Sequence, residues 1–242
     1  MQPEAPHRLR RAEAVLLRRT SRIVLVLEQT WNDENAAALL RTADAFGVQH
    51  VWSVSHPHGR QRRSRSVTRG SEQWLSLRSF ASSEECVEEL VREGCELWVS
   101  DLSAEAEDIT LAGDLGPLPG RVALVIGREV GGASPAFLAA ARRRLRLPMR
   151  GFNESLNLTV AGALLLQRLF DVDPGLPGTM AEGERRSLRK LWYETLAGED
   201  EARRAEYASW LDHPPEPLPD PRPREEDRRP RIKRSVLERG ED

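Results

Sequence analysis

Three stretches of the chain carry residue types that structure alone does not ask for. The first, NDENAAALLRTADAFGV (32–48), sets Asn35 at the front of a small-residue helix with Arg41 inside it. An amide there can orient a hydroxyl, and a guanidinium can hold a phosphate or meet developing negative charge on oxygen; an ordinary surface arginine is the plainer reading of Arg41. The second, VIGREVGGAS (125–134), breaks a buried strand into Gly127, Gly131 and Gly132 around Glu129. Glycines let a ligand approach backbone N–H and C=O groups, although a tight strand-to-helix turn would also use them. The third, LPMRGFNESLNLTVAGALLL (147–166), places Pro148, Gly151, Ser155 and Asn157 just before an apolar run. Ser155 suits a plain helix N-cap. Asn157 in the first turn of an apolar helix is harder to explain by packing.

More familiar chemistry is missing. No G-x-x-x-x-G-K-[ST] loop and no G-x-G-x-x-G follows a strand, and the histidines are scattered or in loops without metal-ligand spacing. These observations argue against a P-loop enzyme or a metal hydrolase.

The elements that must position the three stretches alternate. The patterning predicts strands at IVLVLEQ (23–29), QHVWSVS (49–55), CELWVSDL (95–102), RVALVIG (121–127) and LRLPM (145–149). Between them it predicts helices over 36–46, capped by Asn35 or Asn32 and ended by Gly47; from Ser82 or Ser83 to Arg92, closed by Gly94; from Ser134-Pro135; and over 155–170. Strand–helix alternation with buried strands implies an α/β domain on a mainly parallel sheet with helices on both faces, over 21–172. A basic amphipathic helix over 8–19 precedes it, within an N-terminal unit 1–20. A helical extension occupies 173–212, its helical stretch running from about Glu182 to Leu211 with Leu188, Leu191, Trp192, Leu196, Tyr207 and Trp210 as a docking face. Residues 213–242 form a tail whose Pro, Arg, Glu and Asp offer too little apolar area to offset ordering, so it is expected to be disordered or extended.

In this order and spacing the three stretches resemble motifs one, two and three of the SPOUT-class RNA 2′-O-methyltransferases, the SpoU/TrmH family. The third motif is the most specific: Pro148, Met149, Gly151, Ser155, Leu156, Asn157, Thr159, Val160 and Ala161 all match it. Asn35, Ala38, Arg41, Thr42 and Gly47 carry the first, and Gly127, Glu129 and Gly132 the second. The resemblance implies a C-terminal trefoil knot in the sheet, a homodimer with active sites at the subunit interface, and S-adenosyl-L-methionine held largely by backbone groups. Carried over residue by residue, the cofactor positions are Ser100, Leu102, Ile126, Gly127, Glu129, Gly132, Leu147, Met149, Ser155 and Leu156. The catalytic and substrate-placing set is Arg41, Asn35, Glu129, Ser155 and Asn157. Ala37 stands where many members have glycine, Thr159 where serine is commoner, and Glu154 puts a charge beside Ser155.

The 242 residues carry 36 Lys and Arg against 38 Asp and Glu, a net charge of −2, so any polyanion would be met by local patches. Arg10, Arg11, Arg18 and Arg19 on the first helix, and Arg62, Arg63, Arg65 and Arg69 in a basic loop, are the expected RNA contacts. Lysine is confined to Lys190 and Lys233, so compositional bias toward arginine is the competing explanation. A short basic helix before the catalytic part, a helical extension after it and GSEQW (70–74) behind the basic loop look most like family members that methylate guanosine 18 of tRNA. Another tRNA ribose, a ribosomal RNA ribose, a non-catalytic RNA-binding protein on the same fold, and methylation of a protein or small molecule are the alternatives. Two cysteines, no apolar run near the length of a membrane span and no secretory-type N-terminus fit a cytoplasmic protein with no membrane partner.

Overall fold

In a computed structural model of the chain, the described residues are 5–30, 33–54 and 70–222. Among them the chain runs α1 (His7–Leu16), β1 (Thr20–Glu28), α2 (Asp33–Phe46), β2 (Val48–Val54), β3 (Ser76–Phe80), α3 (Ser83–Arg92), β4 (Glu96–Ser100), β5 (Glu107–Asp108), β6 (Val122–Ile126), α4 (Pro135–Ala140), β7 (Arg143–Arg146), α5 (Leu158–Val172), α6 (Glu182–Ala197) and α7 (Glu201–Ala208). The strands form one seven-stranded sheet in the order β3-β2-β1-β6-β4-β7-β5, and every pair is parallel.

A parallel sheet must be covered on both faces, and the unbroken apolar runs of β1 and β6 show why it is here. Ile23, Leu25 and Leu27 of β1 pack with Leu39, Leu40 and Ala43 of α2 and Leu165, Leu166 and Leu169 of α5. The alternate residues Val24 and Val26 face Cys86 and Leu90 of α3 and Phe137 of α4. Gly162 is required where α5 crosses α2, because a Cβ there would stand 2.6 Å from Leu39 Cδ2. Both cysteines are free and buried, and burial pushes the Cys86 thiol up to about 12, which leaves it inert at neutral pH.

The terminal helices share a core of their own, in which Leu9 and Leu16 of α1 meet Leu188, Trp192 and Tyr193 of α6 and Tyr207 of α7. At its centre Arg189 donates from Nε and Nη2 to the two carboxylate oxygens of Glu13 at 2.8 and 2.9 Å, and the Tyr193 hydroxyl donates to Oε1 at 2.8 Å. Deleting one partner of so buried a pair typically costs about 3–5 kcal/mol, so this contact anchors one end of the chain to the other.

Several boundaries differ from the sequence reading. The first helix ends at Leu16, not at 19, and the last strand before the third motif ends at Arg146 because Pro148 supplies no N–H for a ladder. The stretch 182–211 is two helices, separated at Gly198 with φ +68°. Residues 213–222 form neither helix nor strand, and they are seated: Leu218 N–H donates to Arg10 C=O at 3.1 Å.

Candidate active site

The strand order places a crevice. β6 lies between β1 and β4, and β7 between β4 and β5, so the carboxyl ends of β4, β6 and β7 are side by side where the direction of winding reverses. Ligands of open α/β sheets bind outside strand ends at such a reversal. A cleft of about 550 Å³ opens there, lined by Ser100, Asp101 and Leu102 at the end of β4, by Ile126–Glu129 with Gly131 and Gly132 at the end of β6, and by Ser155–Leu158 with Ala161 at the start of α5. Leu147 and Met149 continue its wall beside Leu102 and Leu156. Eight of the ten residues expected to hold a cofactor therefore line this cleft, and Leu147 and Met149 line the small pocket that adjoins it.

Local geometry explains each wall. After β6 the chain turns back on itself: Arg128 N–H and Nε both donate to Gly132 C=O, at 3.2 and 3.0 Å, and Gly131 and Gly132 take φ of +85° and +65°. Gly127 sits so close beneath this loop that a Cβ would be 2.5 Å from Ala133 N. Glu28, fully buried at the end of β1, accepts from Ser134 N–H at 2.8 Å and from the Ser83 hydroxyl at 2.6 Å, fixing the starts of α4 and α3 against the sheet. Sequence reasoning passed over Glu28, since a strand-end carboxylate has no motif of its own. After β4, Asp101 accepts from the N–H groups of Leu102 and Ser103 and from the Ser103 hydroxyl. Burial would raise its carboxyl, but those bonds and Arg144 outweigh it and hold the pKa below the ordinary value. Asp101 lies inside the Ser100–Leu102 loop, and only its position at a strand end could have marked it.

The third motif differs from its expected form. α5 begins at Leu158, and Asn157, not Ser155, is its N-cap, accepting from Thr159 N–H at 2.9 Å. Ser155 is thereby freed and exposed in the loop at the cleft. The Asn157 amide also reaches Asn35 Oδ1 at 3.5 Å, while Asn35 Nδ2 donates to Glu129 Oε1 at 2.6 Å. One polar chain thus ties motif one to motif two and motif three at the cleft rim. Asn35 is not a cap either, because α2 starts two residues earlier.

Arg41 stands apart. It is exposed on α2, lines no part of the cleft, and has no hydrogen-bonded or ion-paired partner among the described residues. The basic patches fare unevenly. Arg19 is fully buried, paired with Asp44 and donating to Val48 C=O, so it is withdrawn from phosphate: its residue follows α1 rather than lying on it. Arg10, Arg11 and Arg18 are on the surface, and their guanidiniums donate to the carbonyls of Glu216, Pro221 and Pro219 in the tail. Arg62, Arg63, Arg65 and Arg69 lie outside the described residues. Among the described residues no His, Cys, Asp and Glu cluster has the makings of a metal site, and no helix is long and apolar enough to cross a membrane.

An all-parallel sheet with a glycine-walled cleft at the carboxyl ends of its strands is the arrangement in which open α/β domains bind small ligands. The chain belongs to the SpoU rRNA Methylase family, whose model matches residues 22–167. It is 32% identical over 161 residues to the tRNA (guanosine(18)-2′-O)-methyltransferase of Escherichia coli strain K12, covering 66% of this chain and 68% of that protein. To the enzyme of the same name from Thermus thermophilus it is 29% identical over 211 residues, 87% of this chain and 99% of that one. The crystal structure of the A. aeolicus TrmH/SpoU tRNA modifying enzyme shares the fold, with a TM-score of 0.69 at 24% identity over 79% of this chain and 98% of that one.

Proposed function

We propose that the chain methylates a ribose 2′-hydroxyl of tRNA, that of guanosine 18, using S-adenosyl-L-methionine. The observation that carries the reading is the hydrogen-bonded chain Glu129–Asn35–Asn157 at the rim of the glycine-walled cleft, since it unites three separate segments on one polar edge. The names of the E. coli and T. thermophilus relatives support the substrate.

The cleft's own chemistry fits the cofactor. Leu102, Ile126, Leu147, Met149 and Leu156 offer apolar walls for a flat base, and backbone groups at the ends of β4, β6 and β7 offer polar contacts. Asp101, held ionised, and Glu129 suit a cation. When bound, S-adenosyl-L-methionine supplies an electrophilic methyl carbon on a sulfonium. The remaining work is placement of the 2′-oxygen in line with that carbon, which Asn35, Ser155 and Asn157 perform by hydrogen bonding to the ribose and cofactor edges. A guanidinium is too weak an acid to serve as a neutral base. Arg41 instead clamps the neighbouring phosphate and stabilises negative charge developing on the 2′-oxygen.

Arg41 does not line its own chain's cleft, and this supports a homodimer in which a second copy brings its α2 to the site. The exposed apolar side chains Val160 and Leu164, one turn apart on α5, with Phe152 before it, give a second copy a face to cover. The insertion of β6 and β7 between earlier strands supports the trefoil knot that the resemblance implies. The domain limits 1–20, 21–172, 173–212 and 213–242 and a cytoplasmic setting complete the reading.

The test is methyl transfer from labelled S-adenosyl-L-methionine to unmodified tRNA, ribosomal RNA and total protein. Label confined to tRNA, released by nuclease digestion as 2′-O-methylguanosine, is the expected result. Label in ribosomal RNA or protein alone overturns the substrate, and no label with any acceptor overturns the enzyme reading.

A further inference from the structure

A second cavity, of about 190 Å³, lies in the angle between α1, α6 and the short 3₁₀ turn Ser71–Trp74, and shares no residue with the cleft. Its walls combine two indoles with three guanidiniums. Trp74 meets Trp192 edge to face at 5.5 Å, and Arg8, Arg11 and Arg19 stand around them against a single carboxylate, Asp44. Aliphatic side chains of α1 and α6 complete the lining.

Two features separate this cavity from an ordinary packing gap. First, both Arg19 and Trp192 are buried, at 0% and 2% exposure, and among the described residues Arg19 Nε and Trp192 Nε1 have no hydrogen-bond partner. Buried donors are rarely left unmet, and both belong to side chains that line this one cavity. Secondly, its charged groups are unbalanced. Asp44 is engaged by Arg19, so the positive charge of Arg8 and Arg11 at the mouth is not answered from within the cavity; Arg8 is exposed and has no partner among the described residues. A ligand that satisfies this wall has a flat π-face, acceptors at its edge and a negative charge a few ångströms away. Those are the properties of a nucleotide.

On the reading of the chain as an RNA-directed enzyme, we infer that this cavity takes one unpaired nucleotide of the RNA substrate. Its base stacks on Trp74, an edge acceptor receives the Trp192 N–H, and its phosphate lies on Arg8 and Arg11. Stacking on an aromatic ring tolerates any base, so the contact selects for an unpaired nucleotide more than for sequence. A base held in a helix cannot present its face. The cavity therefore gives the terminal helices a way to sense RNA shape at a distance from the reacting ribose.

The experiment measures binding, by fluorescence anisotropy, of a labelled short unpaired oligoribonucleotide, of the same strand annealed to its complement, and of unlabelled nucleoside monophosphate as competitor. The unpaired strand is expected to bind at least about fivefold more tightly than the duplex, and Trp74→Leu to lose about fivefold or more while Trp74→Phe keeps the affinity. Arg8→Gln, an exposed site whose change leaves the fold intact, is expected to weaken the unpaired strand and to lower its salt dependence. Equal binding of strand and duplex, or no effect of Arg8→Gln and Trp74→Leu, overturns the inference. A monophosphate that competes as well as the strand overturns the RNA source and assigns the cavity to a free nucleotide. Methyl transfer is not the readout. Selective binding that the variants abolish supports the cavity even in a chain that transfers no methyl group, whereas intact transfer with unaltered binding removes the cavity alone.

Discussion

Asn157 does two things that the sequence presents as one. Its Oδ1 caps α5 and its Nδ2 reaches Asn35, so the start of the helix and the polar rim of the cleft are fixed together. The sequence pattern favoured Ser155 as the cap because serine precedes the apolar run. The shift of two residues follows from the hydrogen-bond geometry of Asn157 and Thr159, which no periodicity records. The loops that wall the cleft were picked out through the family resemblance, and residue types alone marked only the glycines after β6 and the Pro148–Asn157 stretch. Glu28 was not, since its role depends on Ser83 and Ser134, far away in sequence. Arg41 was legible only through its motif, and the fold leaves it off its own cleft. Arg41→Ala is expected to cut turnover at least about tenfold, a barrier change of about 1.4 kcal/mol or more, while cofactor affinity measured by calorimetry stays unchanged. A variant retaining more than about a tenth of turnover removes the proposed role.

Among the elements, the long buried ones were the easiest to read. β1 and β6 are continuous apolar runs, and α3 carries both of its signals: Ser82 accepts from Glu85 N–H at 3.1 Å, and Gly94 follows with φ +71°. The edge strands escaped notice for a physical reason. β3 is SLRSF, with a polar, half-exposed face, and β5 is only Glu107–Asp108, held to β7 by Arg143–Glu107 and Arg146–Asp108 pairs. Neither carries an alternating pattern. The arginines on and just after α1 raise a different point: Arg10, Arg11 and Arg18 hold tail carbonyls, an arrangement that requires the tail to be seated and that composition argues against. If these three also reach tRNA phosphates, replacing them together with Gln weakens tRNA binding and flattens the log-affinity against log-salt slope by up to about 0.7–0.9 per lost contact. Parallel salt titrations of the two proteins check this. Identical slopes would confine the three arginines to holding the tail.

For the molecule as a whole, alternation foretold the parallel sheet and helices on both faces, but not the strand order. Where β6 inserts is decided by its own pairings with β1 on one side and β4 on the other, two strands far apart in the chain, and local pattern is blind to them. The proposed dimer belongs to this scale. Sedimentation at assay concentrations is expected to show two copies, and Val160→Glu with Leu164→Glu, which charges the exposed face of α5, is expected to give monomers with little methyl transfer. A wild-type chain that is fully active as a monomer contradicts the shared site. Placement of the methyl group on one ribose oxygen can be checked with an altered substrate. A tRNA assembled with 2′-deoxyguanosine at position 18 lacks the accepting oxygen and little else. This substrate is expected to bind normally and to take up no methyl group, beside full incorporation into the all-ribose tRNA. Undiminished incorporation into the deoxy-substituted tRNA would show that the methyl group goes elsewhere.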